Sequence, residues 1–249
     1  MCPPPAIATE NLTKRYGDAA AVTDLDLTVE SGEVFGFLGP NGAGKTSTIR
    51  ILTTLTEPTS GSARVAGHSV SDRASVVEHI GVLPEEPPLY EELTGREQLE
   101  YIAGLRGYEN WDRVESLLER FGLAEDADRR VGTYSKGMKQ KVGLVQALLH
   151  EPEVLFLDEP TSGLDPRAAR TVRDTISEVA AADTTVFLST HILPVVEELA
   201  DTVGVLYDGD LVAEGAPADL TDDVEAGSTL EDVFLDVTSE QEHERPARR

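Results

Sequence analysis

A short apolar run, Val34-Phe35-Gly36-Phe37-Leu38, leads directly into Gly39-Pro40-Asn41-Gly42-Ala43-Gly44-Lys45-Thr46. An uninterrupted apolar run of this kind reads as a strand buried on both faces. Residues from Thr46 to Leu55 read as a helix. Strand, glycine-rich loop and helix in this order commit the segment to an α/β arrangement and supply the context that a phosphate-binding loop requires. The glycines let backbone N–H groups approach and surround phosphates, and the helix that follows adds its positive end. Lys45 is expected at the β- and γ-phosphates, and Thr46 on Mg²⁺. The predicted ligand is a nucleoside triphosphate.

A second group of residues lies downstream. Val154-Leu155-Phe156-Leu157 is another buried strand, and Asp158-Glu159-Pro160 follows it. A carboxylate at such a strand end sits at the edge where open α/β sheets bind ligands, so Asp158 is expected to hold Mg²⁺. A solvated strand end is the plainer reading of the same pair. Ser162-Gly163-Leu164-Asp165 comes next, and Tyr134-Ser135-Lys136-Gly137-Met138 stands before the strand. Ser135 also reads as a helix N-cap, and the two readings are compatible because a capped helix end is itself a phosphate site. His191 follows Leu188-Ser189-Thr190 at the end of a third strand starting near Thr185.

Together these elements resemble the nucleotide-binding subunits of ABC transporters, over about residues 6 to 237. The resemblance implies a P-loop, RecA-like α/β ATPase core with an antiparallel β subdomain and an α-helical subdomain inserted at about 86–150. It implies that Glu159 polarises the attacking water, that His191 contacts the γ-phosphate and holds Glu159, and that Lys45 completes the catalytic set. ATP would be bound by Tyr16, stacked on adenine, by Gly39, Pro40, Asn41, Gly42, Ala43, Gly44, Lys45, Thr46 and Ser47, and by Ser135, Gly137 and Asp165. Mg²⁺ would be held by Thr46, Glu85 and Asp158.

The implied partners are a separate transmembrane permease and a second ATPase subunit, the same chain or a related one, paired head to tail. The implied location is the cytoplasmic face of the cell membrane. The region around Pro87, Pro88, Leu89, Tyr90 and Leu93 would face the permease. Three features depart from the commonest family pattern: Lys136 and Met138 in the serine loop, and Glu85 where glutamine is usual. They resemble the type-2 exporter subset. The alternative is a soluble ABC ATPase of translation or DNA repair. Its usual marks, a long coiled coil or two cassettes in one chain, are not seen.

Composition narrows the remaining choices. The formal net charge is −25, which disfavours broad nucleic-acid binding because phosphate would be repelled. Two explanations stand: an acidic solvated surface, as in high-salt cytoplasm, or a cationic partner. The only lysines are Lys14, Lys45, Lys136, Lys139 and Lys141, in or beside the expected nucleotide segments. Cys2 is the only cysteine, so an intrachain disulfide and a thiolate cluster are excluded. No run approaches the roughly 20 apolar residues that cross a bilayer. Trp111, Val114, Leu117, Leu118 and Phe121 recur at helical spacing and are expected in a core. Leu230, Val233, Phe234 and Val237 suggest a last amphipathic helix, followed by a charged tail over 238–249 expected to be disordered.

Overall fold

The computed structural model of the chain describes residues 4–108, 110–222 and 229–236. Its strands are β1 Ile7–Tyr16, β2 Ala19–Val29, β3 Val34–Leu38, β4 Ser60–Val65, β5 His68–Ser69, β6 Ile80–Leu83, β7 Val154–Asp158, β8 Thr185–Thr190, β9 Thr202–Tyr207 and β10 Asp210–Gly215. Its helices are α1 Lys45–Leu52, α2 Arg73–His79, α3 Gly95–Leu105, α4 Trp111–Arg120, α5 Lys136–Leu148, α6 Pro166–Ala180, α7 Leu193–Leu199 and α8 Pro217–Asp222.

Two sheets result. One runs β10-β9-β3-β8-β7-β6 and is parallel from β9 to β6, with β10 antiparallel at its edge. The other, β2-β1-β4-β5, is antiparallel throughout. Helices α3 to α5 come from the chain between β6 and β7. Among the described residues no helix is long and apolar enough to cross a membrane.

Alternation along the parallel strands decides what each face buries. Leu155, Leu157, Val186 and Leu188 point into a core shared with Leu99, Leu117, Leu118 and Leu144 of the helices. Val154, Phe156, Phe187, Phe35 and Phe37 point the other way, against Ile7, Leu12, Val22 and Leu25 of the antiparallel sheet. Period-two alternation therefore gives one sheet two apolar partners. Phe187 is the centre of the second core. Its ring lies 5.6 Å from Phe35, 5.1 Å from Phe37 and 5.6 Å from Phe156. Truncating such a ring to alanine costs about 3–5 kcal/mol.

The helix starts carry their own signals. Thr94 and Glu97 form a reciprocal capping box on α3. Asn110 caps α4, Ser135 caps α5, and Asp165 caps α6 with Pro166 in its first turn.

Two expectations need correction. The helix after the glycine loop ends at Leu52 rather than Leu55, because Thr54 adopts a left-handed φ of 62° and breaks the helical path. Trp111 is not core: it is 47 % exposed, while Val114, Leu117, Leu118 and Phe121 are buried as expected. Trp111 is the first residue of α4, before the helix has turned its apolar stripe inward. Residues 230–236 are helical with Leu230 and Val233 buried. Val237 and the expected tail lie outside the described residues.

Candidate active site

The loop between β3 and α1 crosses the carboxyl edge of the parallel sheet. Gly44 sits at φ 113°, and a Cβ there would lie 2.1 Å from the Ala21 carbonyl oxygen. Only glycine fits, and α1 begins at the next residue. Lys45 then folds back over its own loop. Its Nζ donates to Gly39 O at 2.6 Å and to Pro40 O at 3.2 Å, and lies 3.6 Å from Glu159 Oε1. Burial holds the Lys45 pKa below the ordinary lysine value, and the carboxylates of Glu159, Asp158 and Glu85 pull it back up.

Strand β7 delivers the facing carboxylates. Asp158 pairs in register with Ser189 of β8, and Ser189 Oγ donates to Asp158 Oδ1 at 2.9 Å. Thr46 Oγ1 donates to the other oxygen, Oδ2, at 2.9 Å. Glu159 follows at a left-handed φ of 49°, with its N–H donating to Ser189 O at 2.9 Å. Its Oε1 accepts from His191 Nδ1 at 2.8 Å, and its Oε2 from Thr190 Oγ1 at 3.0 Å. An ionised carboxylate only accepts, so His191 carries a proton on Nδ1 in this pair.

These groups line one cavity of about 300 Å³. Of the residues named from sequence, Asn41, Gly42, Gly44, Lys45, Thr46, Ser47, Glu85, Asp158, Glu159 and His191 all border it. Gly39 and Pro40 stand behind it as acceptors for Lys45, and Ala43 is buried in the loop. Ala21 and Ser162 also border it; sequence reasoning missed Ala21 and read Ser162 only as part of the Ser162-Gly163-Leu164-Asp165 element, without a site role of its own. It also missed Ser189 and Thr190, the hydroxyls that orient the two carboxylates. The parallel register of β7 and β8 is the only signal for them, and it appears only after folding.

Besides Gly39, Pro40 and Ala43, four expected residues lie outside the cavity lining. Tyr16 ends β1 and is 48 % exposed, with the Lys14 ammonium 5.2 Å from its ring centre. Ser135 accepts from Met138 N at the start of α5, and Gly137 follows in the first turn. Asp165 accepts from Arg167 N and Ala168 N at the start of α6.

The donor set suits a hard divalent cation. Thr46 Oγ1 and Asp158 Oδ2 are adjacent, and the Glu85 carboxylate borders the same space. Among the described residues no group of three or more His, Cys, Asp or Glu side chains forms a complete protein cage. Partial ligation of this kind fits Mg²⁺, which keeps several waters and binds substrate phosphates.

Comparison with known proteins agrees with this geometry. The profile of the family described as "ABC transporter" matches residues 22–162. The bacitracin transport ATP-binding protein BcrA of Bacillus licheniformis is 42% identical over 210 residues, covering 84% of this chain and 69% of that protein. The daunorubicin resistance ATP-binding protein DrrA3 of Streptomyces coeruleorubidus is 43% identical over 234 residues, covering 92% and 73%. A solved structure described as the ATP binding subunit of an ABC transporter superposes with a TM-score of 0.85 at 32% identity, covering 94% of this chain and 99% of that one. With the glycine loop, both carboxylates and the matching fold in place, the chain belongs to the ABC transporter family, as an ATP-binding and ATP-hydrolysing subunit.

Proposed function

We propose that residues 6–237 form one ABC ATPase unit that works as a head-to-tail dimer and drives export through a separate membrane-spanning permease. The observation that carries this reading is the convergence of Lys45, Thr46, Glu85, Asp158, Glu159 and His191 on one cavity. In this reading the glycine-loop N–H groups and Lys45 hold the phosphates of ATP. Thr46, Asp158 and Glu85 would hold Mg²⁺ together with water, and the ion would supply neutralisation of phosphate charge. Glu159 accepts a proton from the attacking water as its oxygen bonds to the γ-phosphorus and the bond to ADP breaks. His191 and Thr190 fix the direction of that carboxylate.

Ser135, Gly137 and Asp165 fall outside this cavity, which favours their use on a nucleotide held by a second subunit. Tyr16, exposed at a strand end, is assigned to the adenine face. Pairing with a related ATPase chain would use the same surfaces.

Docking to the permease is assigned to the stretch from Pro87 to Leu93. Tyr90 is 51 % exposed and meets Tyr101 edge-on at 5.4 Å. A neighbouring groove of about 320 Å³ shares Thr46, Glu85 and Asp158 with the nucleotide cavity and reaches the exposed Leu55. Contact there would be felt at the Mg²⁺ ligands. It would also place the subunit on the cytoplasmic face of the membrane.

Export is supported by relatives named for bacitracin transport and daunorubicin resistance. The same relatives set aside the soluble translation or repair reading, and neither they nor the acidic surface suggest nucleic acid as a partner. The test is Glu159→Gln, which keeps shape and removes the base. Turnover is expected to fall about 10²–10⁴-fold while ATP binding is retained. Near-normal turnover would remove Glu159 from this role.

A further inference from the structure

The ring of Tyr16 stands exposed at the tip of the β1–β2 hairpin. The strand pairing beside it is irregular. Lys14 faces Val22 of β2 and Arg15 faces Ala20, so Ala21 is left over as an extra residue on β2. Ala21 borders the nucleotide cavity, and its carbonyl oxygen is the atom that admits only glycine at position 44. The irregular end of this hairpin is therefore set against the glycine loop, with Tyr16 two residues beyond Lys14.

One side chain holds that ring. Lys14 places its ammonium over one face, 5.2 Å from the ring centre. The same Nζ donates to Glu57 O at 2.5 Å. Glu57 belongs to the segment that leaves α1, and this segment is tied back to the helix: Leu55 N and Thr56 N both donate to Arg50 O, in the last turn of α1. Two further bonds join the segment to β1, Thr59 N to Thr13 O at 2.8 Å and Arg15 N to Thr59 Oγ1 at 3.0 Å. A continuous series of contacts thus runs from α1, whose first residues are Lys45 and Thr46, through Glu57 O and the Lys14 ammonium to the Tyr16 ring.

We propose that Lys14 is a positioning residue for the nucleotide base: its ammonium fixes the Tyr16 ring to the body that carries the phosphate ligands, and so sets the span between the base platform and Lys45. The inference rests on the assignment of Tyr16 to the adenine face. A cation takes one face of a ring and leaves the other for a flat base. An unheld tyrosine would lose rotamer freedom each time a base stacked on it, and a ring already held does not. Lys14 touches neither base nor phosphate in this arrangement. Its loss therefore weakens ATP binding equally before and during the reaction, which raises KM and leaves kcat alone.

The test uses the full chain and steady-state ATPase kinetics, with inorganic tripolyphosphate as a competitive probe that has phosphates and no base. Lys14→Met keeps the stem and removes the charge and the donor; Lys14→Arg keeps both. Lys14→Met is expected to raise the KM for ATP about three- to tenfold with kcat within about twofold, and to leave inhibition by tripolyphosphate unchanged. Lys14→Arg is expected to stay within about twofold of the unaltered chain. In a Tyr16→Leu background, Lys14→Met should have no further effect on KM, because the two residues act as one unit. An unchanged KM in Lys14→Met overturns the proposal. A parallel loss of tripolyphosphate affinity overturns it too, since the glycine loop itself would then be disturbed. So do equal losses in the Met and Arg variants, or additive effects of Lys14→Met and Tyr16→Leu. If Tyr16→Leu alone leaves KM unchanged, the adenine assignment fails and the proposal falls with it. A raised KM in Tyr16→Leu beside a normal Lys14→Met sinks the role of Lys14 alone.

Discussion

Thr190 Oγ1 donates to Glu159 Oε2 at 3.0 Å, from the last residue of the strand beside the one that leads into the carboxylate. The same hydroxyl accepts from Ile192 N at 3.1 Å, so its direction is fixed by the backbone beyond the strand. With His191 on Oε1, both oxygens of the proposed base are oriented from one short segment. Replacing Thr190 by valine keeps the shape and removes the donor. A hydrogen bond to a charged group is worth about 1.5–3 kcal/mol, so turnover should fall about 10- to 100-fold with little change in the KM for ATP. Thr190→Ser should retain most of the rate. Steady-state ATPase kinetics decide, and an unchanged rate in Thr190→Val would show that His191 alone suffices.

The head-to-tail reading predicts complementation. Lys45→Ala and Ser135→Arg chains, each inactive alone, should form hybrid dimers with one intact composite site and one doubly damaged site. ATPase activity of the mixture should exceed that of either variant. Hybrid dimers shown by differential tagging but lacking activity would count against shared sites.

Acidity gives a salt prediction. A net charge of −25 acts across the molecule at low ionic strength, where the screening length is about 30 Å at 0.01 M. At 1 M it is about 3 Å. Folding and pairing both bring like charges together, so the melting temperature should rise from low to molar KCl, more steeply with MgATP. A flat or falling curve would favour a dedicated cationic partner as the reason for the acidity.

His150 sets a pH prediction. Its Nε2 lies 2.8 Å from the Ile80 carbonyl oxygen, which can only accept, so Nε2 carries the proton and the buried Nδ1 does not. Burial, then the charges of Arg106 and Arg113, lower its pKa to about 4. The unfolded chain binds this proton near 6.5. Between these values the unfolded state holds more protons, so this contribution to stability is complete above pH 6.5 and is lost as pH falls towards 4. An NMR titration should place His150 near 4. Replacing it by glutamine, which keeps a donor for Ile80, should flatten the loss of stability between pH 6.5 and 4. A midpoint near 6.5 would rule out the burial argument.

The legible parts of the fold were those that physics forces into local sequence. Gly44 must be glycine because Ala21 O lies where a Cβ would go, so the loop shows as a spacing. Asp158 and Glu159 show because they terminate an apolar run. Thr190 and Ser189 have no such mark: a hydroxyl at a strand end is ordinary until a partner 31 residues earlier in the chain is brought beside it. Trp111 shows the reverse limit. Its spacing continues the stripe of Val114 and Leu118, but periodicity does not reveal where the helix starts relative to its neighbours. Helices α2, α6 and α7, whose facing sides pack on sheets already inferred, were not picked out by pattern alone.

The left-handed backbone at Glu159 also constrains how such a chain can drift. At φ 49° any residue with a Cβ is strained by about 1–3 kcal/mol, and glycine is not. No residue free of that strain carries a carboxylate. Conformational ease and turnover therefore pull in opposite directions at this one position. A duplicated copy released from selection for hydrolysis would lose its base here most easily, and would persist as a nucleotide-holding partner to an active sister subunit.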